Sequence, residues 1–454
     1  MTDSPIISAI ILAAGQGTRM KSNLPKVLHP LSGRPLIQYA LEAVQGLTAN
    51  PPVVVIGHGA EMVRLTVGSA ARFVIQQPQL GTAHAVMAAE PILEQEADYV
   101  IVTYADMPLI RAETIKQLTE AELAFDGPIT MLTGFAEDPR GFGRVERAPD
   151  GSVQAIVEEA VASAAQLAIH ELNLGIYCFK AVWLWGALKR IKVSPKGEYY
   201  LTDVVAIARE DGLKAQAIVL NDFSEAIGIN NRVHLAEAEA LLKQRINRQW
   251  MEFGVSIIDP ASTFIGPAVR IGQDTTIWPN THLRGDSVIG EETCIGPNCI
   301  IEDAVIGSRC NIQSSVIEKA VVEDEVSMGP FAHLRKGAHL MKGVHMGNFG
   351  EVKDSTLHPG VKIGHFSYIG NADIGDNTNI GAGTITCNFD GTHKHPTVIG
   401  ANAFIGSDTM LVAPLNIGEN ARTGAGSVVT KDVPAGVVVL GVPARPYRKV
   451  KKSD

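Results

Sequence analysis

The 454-residue chain is poor in cysteine, and the arrangement of its cysteines excludes several classes of protein. The five are Cys178, Cys294, Cys299, Cys310 and Cys387. Their number is odd and no two are separated by two residues, which argues against a disulfide framework and against a zinc site built on Cys-x-x-Cys pairs. This usage favours a reducing compartment, so we expect a cytoplasmic protein.

Long apolar segments and excess positive charge are also missing. The longest apolar run near the N-terminus, residues 6–14, is too short to cross a bilayer and follows no basic segment. The net charge of −9 disfavours a broad nucleic-acid-binding surface. We therefore expect no membrane and no nucleic-acid partner. Basic residues are concentrated in a C-terminal tail, by default a solvated terminus, that contains Arg445, Arg448, Lys449, Lys451 and Lys452.

Residues 1–232 have the pattern of an α/β domain. Apolar, β-branched runs of buried-strand length alternate with segments of helical composition. This alternation predicts a mostly parallel, doubly wound, Rossmann-like sheet, which binds ligands at the carboxyl ends of its strands. A linker helix is expected at 233–253, within a segment rich in helix formers and free of Gly and Pro. The predicted strands are 6–14, 52–56, 99–104 and 128–132, and the predicted helices include 36–45 and 114–124.

Residues 254–454 repeat with a period of six. Aliphatic residues occupy every sixth position seven times in one register, namely Ile265, Ile271, Ile277, Leu283, Ile289, Ile295 and Ile301. The period slips near Gly307, and it returns from Val322 to Val352 and from Ile399 to Ile417. A period of six fits neither a helix nor a single strand, but it fits a parallel β-helix whose short strands form the sides of a prism. We therefore predict an all-β solenoid that ends in the basic tail.

A glycine-rich segment, L-A-A-G-Q-G-T-R-M, directly follows the first predicted strand. Gly15 and Gly17 permit a tight turn whose free N–H groups suit phosphate oxygens, and Arg19 and Lys26 add positive charge. The segment is not a P-loop, because no Gly-Lys-Ser/Thr follows, and it lacks the third glycine of a dinucleotide fingerprint. On Gly-x-Gly alone, an ordinary strand–helix turn is an equally good interpretation.

Together with the Leu24-Pro25-Lys26 that follows, this segment resembles the signature of sugar-nucleotide pyrophosphorylases, nucleotidyltransferases that join a sugar 1-phosphate to a nucleoside triphosphate. The resemblance implies that Asp106 and Asn230 hold Mg²⁺, which acts with the catalytic cations Arg19 and Lys26 on the phosphates. A sugar phosphate is already an anionic nucleophile, so the protein contributes positioning and charge stabilisation. The matching nucleotide- and sugar-binding residues are Leu12, Ala13, Gly15, Lys26, Gln76, Gly81, Thr82, Tyr104, Gly143, Glu158, Asn173 and Asn230.

The predicted solenoid carries a dense polar cluster that a plain structural wall does not need. It consists of Arg335, Lys353, His365, Tyr368, Asn379, Asn388 and Lys394. The alternative is that the solenoid serves assembly alone, as short β-helices do in related pyrophosphorylases.

With the N-terminal half, the strings G-N-F-G-E-V-K, G-H-F-S-Y-I-G and N-I-G-A-G-T-I-T-C-N-F-D-G closely resemble the bifunctional bacterial family of N-acetylglucosamine-1-phosphate uridyltransferases/glucosamine-1-phosphate N-acetyltransferases. The resemblance covers nearly the whole chain and implies a left-handed β-helix in a homotrimer, with acetyl-transfer sites at subunit interfaces. His365 is the implied general base, since an amine that attacks a thioester must lose a proton and imidazole titrates near neutrality. Arg335, Lys353 and Lys394 match groups that hold the sugar phosphate, and Tyr368, Asn379 and Asn388 match groups that orient the sugar and the base. The implied acetyl-CoA contacts are Ala382, Phe389, Ser407, Ala425 and Arg445.

Five positions depart from the pattern of that family. Ala105 replaces a Gly before the metal-binding Asp, Ala160 stands where Lys is common, and Leu174 replaces a Thr near the sugar. These three bear on the nucleotide and sugar preference of the first site. Gly441 stands at a common Arg position and Phe389 replaces the more common Tyr, so both bear on the affinity for acetyl-CoA.

The sequence therefore predicts a bifunctional enzyme. It would acetylate glucosamine 1-phosphate with acetyl-CoA and couple the N-acetylglucosamine 1-phosphate to UTP, releasing pyrophosphate, for cell-wall and outer-envelope glycans. One alternative is a monofunctional sugar-1-phosphate nucleotidyltransferase with a structural β-helix, which acetyl-CoA-dependent loss of the substrate amine would exclude. The other is a regulatory protein that binds sugar nucleotides without converting them, which pyrophosphate release would exclude.

Overall fold

The computed structural model describes residues 5–137, 139, 141–159 and 162–449. The chain divides into two compact units, Met1–Leu241 and Leu242–Asp454, and the division falls inside the long helix Arg232–Glu252. The domain boundaries predicted at 232 and 254, with a linker helix between them, stay predictions. Ala160, Lys451 and Lys452 lie outside the described residues.

The first unit alternates strands and helices, as its sequence pattern predicts. Over the described residues its strands are β1 (Ile7–Leu12), β2 (Pro30–Leu31), β3 (Arg34–Pro35), β4 (Val53–Ile56), β5 (Arg72–Ile75), β6 (Tyr99–Tyr104), β7 (Ile129–Phe135), β8 (Arg144–Arg147), β9 (Val153–Val157), β10 (Glu171–Lys180) and β11 (Ala215–Val219). The helices are α1 (Leu36–Val44), α2 (Ala60–Val67), α3 (Thr82–Met87), α4 (Glu90–Leu93), α5 (Ala112–Leu123), α6 (Ala164–Leu167), α7 (Ala181–Leu188), α8 (Val204–Glu210) and α9 (Arg232–Glu252). In the part of the chain that the structure describes, no helix is both long enough and apolar enough to span a membrane.

All of these strands except β2 and β3, which pair only with each other, form one mostly parallel sheet. β5, β4, β1 and β6 lie side by side and parallel, β10 follows antiparallel to β6 and β7, and β11 is parallel to β7. The sheet is buried on both faces, because Ile10 and Leu12 of β1 belong to one core and Ala9 and Ile11 to the other. The predicted doubly wound α/β fold is confirmed, with β10 as an antiparallel strand inside the sheet.

Glu122 places a carboxyl group on the buried side of α5. It is fully buried, and its Oε2 accepts a hydrogen bond from the Thr130 hydroxyl at 2.5 Å. Its Oε1 has no hydrogen-bond partner among the described residues. Burial raises the pKa of Glu122 to about 8, against smaller opposing effects of the Thr130 hydrogen bond and the Lys180 charge. Glu122 therefore carries its proton in the folded protein at neutral pH.

This buried carboxyl makes the stability of the fold depend on pH. Because the folded pKa of Glu122 lies above the ordinary value of 4.5, the folded state retains a proton that the unfolded chain has released. We expect the free energy of unfolding to fall by roughly 1 kcal/mol per pH unit between about pH 5 and 8 through this group. Glu122→Gln cannot ionise and should remove this component. Denaturant midpoints of both proteins from pH 5 to 9 test it, and a difference between them that does not change with pH would contradict it.

The second unit is a parallel β-helix. Where the structure describes it, its short strands form three sheets, one for each side of a prism, and Val437–Gly441 and Ala444–Lys449 close it as an antiparallel pair. The first side contains Ser256–Ile257, Thr276–Ile277, Cys294–Ile295, Asn311–Ile312, Ser327–Met328, His345–Asn348, Lys362–His365, Asn379–Ile380, Phe404–Ile405, Arg422–Thr423, Val437–Gly441 and Ala444–Lys449. The second contains Phe264–Ile265, His282–Arg284, Ile300–Glu302, Val316–Glu318, His333–Leu334, Glu351–Lys353, Tyr368–Gly370, Ile385–Cys387, Met410–Val412 and Val428–Val429. The third contains Arg270–Ile271, Val288–Ile289, Val305–Ile306, Val321–Val322, Ala338–Leu340, Ser355–Leu357, Ala372–Ile374, Thr397–Ile399 and Leu415–Ile417.

The inward-facing aliphatic residues continue through the place where the sequence period slips. Ile301, Ile306, Ile312, Ile317 and Val322 are all buried, although some of them are five rather than six positions apart. A side of five residues shortens the coil but still turns one aliphatic residue inward. The predicted hexapeptide β-helix is confirmed, and the slip near Gly307 is a set of shortened sides.

Small buried residues form a second inward column, two positions before the aliphatic one. Thr275, Thr281 and Thr293 belong to it, and Cys299 and Cys310 stand at equivalent positions. All five cysteines are free. The two cysteines of this column thus serve as small core residues of the coil.

The second half of α9 belongs to this unit and covers its first coil. Asn247 is buried and donates from Nδ2 to the carbonyls of Pro260 and Thr263, both at 3.0 Å. The Lys243 ammonium lies 4.6 Å from the centroid of the Phe264 ring. This end of the solenoid is therefore capped, as terminal coils of repeat proteins require.

Candidate active sites

The glycine-rich segment after β1 folds as a turn that brings two cations to the carboxyl end of the sheet. Gly17 has a φ of +62°, and a Cβ atom there would lie 2.7 Å from the Cβ of Lys26. Both conditions select glycine, since L-residues rarely adopt this φ and the contact is too short. Arg19 lies on the short helical turn Thr18–Met20, and Lys26 begins the next turn, Lys26–Leu28.

Four side chains from distant segments meet beyond β6. The Lys26 ammonium donates to Oδ2 of Asp106, and to Oδ1 of Asn230 at 3.3 Å. Arg19 donates to the same Asn230 oxygen at 2.9 Å. The backbone also joins the two segments, because the Ile229 N–H donates to the Asp106 carbonyl at 2.8 Å. All four side chains belong to the site that the sequence predicts, and the fold brings them together.

The oxygens of Asp106 and Asn230 suit Mg²⁺. This cation takes oxygen ligands and commonly binds through one or two protein oxygens, with waters and substrate phosphates as its other ligands. Among the described residues, no group of three or more His, Cys, Asp or Glu side chains is arranged to hold a metal ion. Asp106 and Asn230 therefore suit a cation whose remaining ligands are water and phosphate oxygens.

Two cavities share the walls around this charged group. One has a volume of about 640 Å³ and the other about 570 Å³, and both are lined by Thr82, Tyr104 and Asp106. The first is lined also by the predicted catalytic cation Arg19 and by the predicted nucleotide-binding residues Leu12, Ala13, Gly15, Lys26, Gln76 and Gly81. The second is lined also by the predicted sugar-binding residues Gly143, Glu158, Asn173 and Asn230.

Gln76 and Gly81 are fixed to each other in the wall of the first cavity. Gln76 is buried and donates from Nε2 to the Gly81 carbonyl at 2.8 Å. Gly81 has a φ of +98°, and a Cβ atom there would lie 2.6 Å from the Tyr199 carbonyl oxygen. Thr82 begins α3, and its hydroxyl accepts from the Leu201 N–H at 3.0 Å. These bonds set the shape of the wall, and the backbone approach at Gly81 requires glycine.

The second cavity presents buried polar groups at β10 and after β9. Asn173 is buried, donates from Nδ2 to the Tyr177 hydroxyl at 2.8 Å, and accepts from the Gly175 N–H at 3.2 Å. The Thr202 hydroxyl donates to Glu158 at 3.4 Å, and burial raises the pKa of the Glu158 carboxyl. Perturbed carboxyl groups in a cavity are common at functional sites, and here the chemistry suits the hydroxyl donors of a sugar.

Two of the departures from the family pattern lie at this site. Leu174 is buried and lines the second cavity, whereas Ala105 belongs to the hydrophobic core behind Asp106. One residue that the sequence does not single out, Tyr200, lines both cavities. In the sequence Tyr200 is marked only by its neighbour Tyr199, in a segment with no predicted element. A position in a loop does not reveal which cavity a side chain enters.

In the second unit, His365 ends a strand on the first side of the prism. Its Nδ1 is hydrogen-bonded to the Asn348 side-chain oxygen on the preceding coil. With the Asn348 amide in this orientation its oxygen accepts, so the proton is placed on Nδ1 and the Nε2 lone pair is left as a base. Asn379 lies on the following strand of the same side, paired with Lys362, and the Gly383 N–H donates to the His365 carbonyl at 3.2 Å. The predicted base therefore has a defined tautomer on a regular strand.

A group of cations lies on the second side and the loop beside it. Interaction with the Lys394 side chain lowers the pKa of Lys353, and the charge of Arg335 has a smaller effect in the same direction. Arg335 donates to Glu351 at 2.8 Å. Like charges held this close destabilise one another, and a bound phosphate would relieve the repulsion. The three predicted phosphate-binding cations are thus gathered by the fold.

Two polar residues predicted to orient the substrate meet at Gly370. A Cβ atom there would lie 2.5 Å from the Tyr368 hydroxyl and 2.6 Å from Nδ2 of Asn388. Asn388 is buried and donates from Nδ2 to the Asn371 side chain at 2.7 Å. Gly370 therefore leaves room for both polar groups.

Three of the predicted acetyl-CoA contacts, Ala382, Ser407 and Ala425, lie on successive turns. The Asp408 N–H donates to the Ala382 carbonyl at 2.7 Å, and the Gly426 N–H donates to the Ser407 carbonyl at 2.8 Å, so these turns stack. A Cβ atom at Gly406 would lie 2.7 Å from the Ala425 nitrogen, and the same stacking reaches Ala425. Phe389 is exposed and forms an antiparallel bridge with Lys394. Arg445 lies in the terminal hairpin and pairs with Leu440, the residue that precedes Gly441.

The chain matches known families along both units. Residues 9–137 match the model described as a MobA-like NTP transferase domain, and residues 268–303 and 396–431 match the bacterial transferase hexapeptide (six repeats). The bifunctional protein GlmU of Heliobacterium modesticaldum is 47% identical over 98% of this chain and 97% of its own length. The chain belongs to the GlmU family. Proteins of the same name from Exiguobacterium sibiricum and Streptococcus agalactiae are 46% and 45% identical over 94% and 95% of this chain, and over 95% of each relative.

GlmU membership agrees with the separation of the two sites. The NTP transferase match includes Arg19, Lys26 and Asp106, and the hexapeptide matches lie on either side of the coils around His365. The family predicted from the sequence is confirmed, as is the pairing of a nucleotidyltransferase domain with a hexapeptide β-helix. The roles of individual residues stay predictions.

Proposed function

We propose that this GlmU-family protein is a bifunctional enzyme of UDP-N-acetylglucosamine synthesis. The second unit transfers the acetyl group of acetyl-CoA to glucosamine 1-phosphate. The first unit couples the resulting N-acetylglucosamine 1-phosphate to UTP and releases pyrophosphate. The observation that carries the proposal is that each unit brings together its own set of predicted site residues.

Acetyl transfer requires removal of a proton from the attacking amine. The glucosamine nitrogen attacks the thioester carbonyl, a C–N bond forms, and the C–S bond breaks to release CoA. His365, with its Nδ1 held by Asn348, takes the amine proton at Nε2. Arg335, Lys353 and Lys394 bind the sugar phosphate and hold the amine near that nitrogen.

Uridylyl transfer requires charge neutralisation instead of a base. A phosphate oxygen of N-acetylglucosamine 1-phosphate attacks the α-phosphorus of UTP, and the bond to pyrophosphate breaks. Arg19 and Lys26 stabilise the negative charge at that centre, and Asp106 and Asn230 would hold Mg²⁺, which neutralises the phosphates further when bound. The first cavity then takes the nucleotide and the second the sugar.

The proposal includes an assembly and a location. The hexapeptide β-helix supports a homotrimer with acetyl-transfer sites at subunit interfaces, and the substrates are small molecules supplied in the cytoplasm. Leu174, in the wall of the second cavity, is the departure expected to affect sugar preference, because it removes a hydroxyl from that wall.

One mass-spectrometric assay tests both activities. The purified protein is incubated with Mg²⁺, acetyl-CoA, glucosamine 1-phosphate and equal amounts of ATP, GTP, CTP, UTP and dTTP. We expect UDP-N-acetylglucosamine as the main sugar nucleotide, because each unit contains its own set of the predicted site residues. N-Acetylglucosamine 1-phosphate without any sugar nucleotide would contradict the uridylyltransferase assignment. A sugar nucleotide that retains the free amine would indicate a monofunctional nucleotidyltransferase with a structural β-helix, and no turnover at all would indicate a binding protein.

A further inference from the structure

The six-residue spacing of the β-helix is broken once by a longer excursion, between Thr386 and Ile399. Strand Ile385–Cys387 ends there, and strand Thr397–Ile399 resumes the wall. The residues between them, 388–396, form a loop that we call the lysine loop. It contains the predicted substrate residues Asn388, Phe389 and Lys394. How this loop holds its shape therefore matters for the second site.

The lysine loop has almost no hydrophobic anchor. The side chains of residues 389–394 are all exposed, including the ring of Phe389. Asn388 is buried at the start of the loop, and the His395 N–H donates to the Asn388 carbonyl at 2.8 Å to close it. Polar contacts must therefore fix the tip that carries Lys394.

One side chain supplies those contacts. Oδ1 of Asp390 accepts from the N–H groups of Thr392 and His393, both at 2.7 Å. Oδ2 of Asp390 lies 2.7 Å from Nε2 of His395. The backbone N–H of Asp390 also donates to the His393 carbonyl at 3.2 Å. These bonds hold the residues on both sides of Lys394, and the backbone N–H donors keep the pKa of the Asp390 carboxyl well below its usual range.

The position that this fixes is an unfavourable one for a lysine. Interaction with the Lys394 side chain lowers the pKa of Lys353, and the charge of Arg335 acts more weakly in the same direction. Glu351 pairs with Arg335 at 2.8 Å and Asp354 lies 3.8 Å from the Lys353 ammonium, yet the Lys394 charge still acts against that of Lys353. The Asp390 contacts fix both chain neighbours of Lys394, His393 and His395.

We propose that Asp390 is a positioning residue for acetyl transfer, which orders the lysine loop through His393 and His395 so that Lys394 and Lys353 form a preorganised site for the substrate phosphate. The inference rests on the proposed acetyltransferase function. Asp390 touches no substrate in this assignment and acts through Lys394. Its contribution is to substrate affinity, because an ordered loop avoids the conformational cost of gathering the cations at each binding event.

Steady-state kinetics of the full-length protein test the proposal. Asp390→Ala should raise the KM for glucosamine 1-phosphate by about fivefold to tenfold, comparable to loss of a local capping carboxylate, and should change kcat by less than about twofold. Asp390→Asn retains the Oδ1 acceptor for both backbone N–H groups, so it should restore most of the affinity. Asp259→Ala is the matched control, since Asp259 also accepts from a nearby backbone N–H, that of Ala261, but lies in the first coil, between the strands Ser256–Ile257 and Phe264–Ile265.

A second measurement follows the position of Lys394 without catalysis. Lysines are labelled by reductive ¹³C-dimethylation, and the Lys353 signal is identified by its loss in Lys353→Arg. In the wild type this signal should titrate below the range of the other lysines, and in Asp390→Ala it should return toward that range.

The outcomes separate the inference from the proposed function. An unchanged KM together with an unchanged Lys353 titration in Asp390→Ala would overturn the inference while the wild type still acetylates its substrate. A variant Asp390→Asn as impaired as Asp390→Ala would also contradict it, because the acceptor geometry would then not matter. If the wild type does not acetylate glucosamine 1-phosphate but its Lys353 titration still depends on Asp390, the positioning stands and the proposed function fails.

Discussion

His365→Ala should lose acetyl transfer by a factor of about 10² to 10⁴ and retain uridylyl transfer. In the proposed mechanism, His365 offers the Nε2 lone pair as the base for the attacking amine, because its Nδ1 is engaged by Asn348. Lys26 and Asp106, which we propose for uridylyl transfer, lie in the other compact unit of the chain. The rates are measured separately, as acetyl-CoA consumption with glucosamine 1-phosphate and as pyrophosphate release with N-acetylglucosamine 1-phosphate and UTP.

The β-helix offers a matched control for this substitution. His339 lies on the third side of the prism, with its Nε2 2.8 Å from a Glu323 carboxylate oxygen, so it is a paired surface histidine. His339→Ala should leave acetyl transfer within about twofold of the wild type, as expected for a surface substitution. Loss of both activities in a folded His365→Ala protein would show that the sites are not independent, and full retention of acetylation would assign the base to another residue.

Asp106→Ala should lose uridylyl transfer by at least about a hundredfold and retain acetyl transfer. Substitution of groups that merely support a metal ligand commonly costs about 10- to 100-fold, and Asp106 is proposed as a direct ligand. The substitution also removes the ion-pair partner of Lys26 and so disturbs the cation that we propose stabilises the α-phosphate. Pyrophosphate release at varied Mg²⁺ concentration measures the effect, and excess Mg²⁺ should not restore the rate.

The same strand provides the control for Asp106. Asp98 precedes β6 at the opposite end of the strand, where Oδ2 accepts from the Ile6 N–H at 2.8 Å. Asp98→Ala should leave uridylyl transfer within about twofold, because the site lies beyond the carboxyl end of the strand. A comparable loss in both variants would mean that the substitution acts through stability, and an active Asp106→Ala protein would remove Asp106 from the proposed metal site.

The success of sequence-based prediction differs between strands of the first unit. β6 has the predicted bounds, since its apolar, β-branched run is bordered by polar and small residues. β10 was not predicted, although it is the longest strand of the described part of this unit. Its run contains Asn173 and Gly175, and its pairing with β7 shifts register between Asn173 and Tyr177. This irregularity, which serves the second cavity, is what conceals the strand from a pattern of alternating or continuous apolar residues.

The β-helix shows a similar division. The period of six predicts the prism, because each side needs one inward aliphatic residue whatever the rest of the chain does. The shortened sides around Ile306 and Ile317 break the period without breaking the wall. An interruption of the six-residue period can be a five-residue side or a longer loop such as the lysine loop. Which of the two it is depends on which strands pair, and strand pairing joins residues far apart in the chain.

By itself the sequence determined the two fold classes, the tight turn at Gly17 and the chemical types of residue at both sites. These follow from local periodicity and from short sequence motifs. The tertiary structure decided which of those residues meet. It joined the Asn230 segment to Asp106 through the Ile229 backbone, and it fixed the loop around Lys394 through the hydrogen bonds of Asp390. The physical reason is that such contacts depend on long-range strand pairing and loop closure, whose energies are summed over the whole fold and leave no mark on the neighbouring residues in the chain.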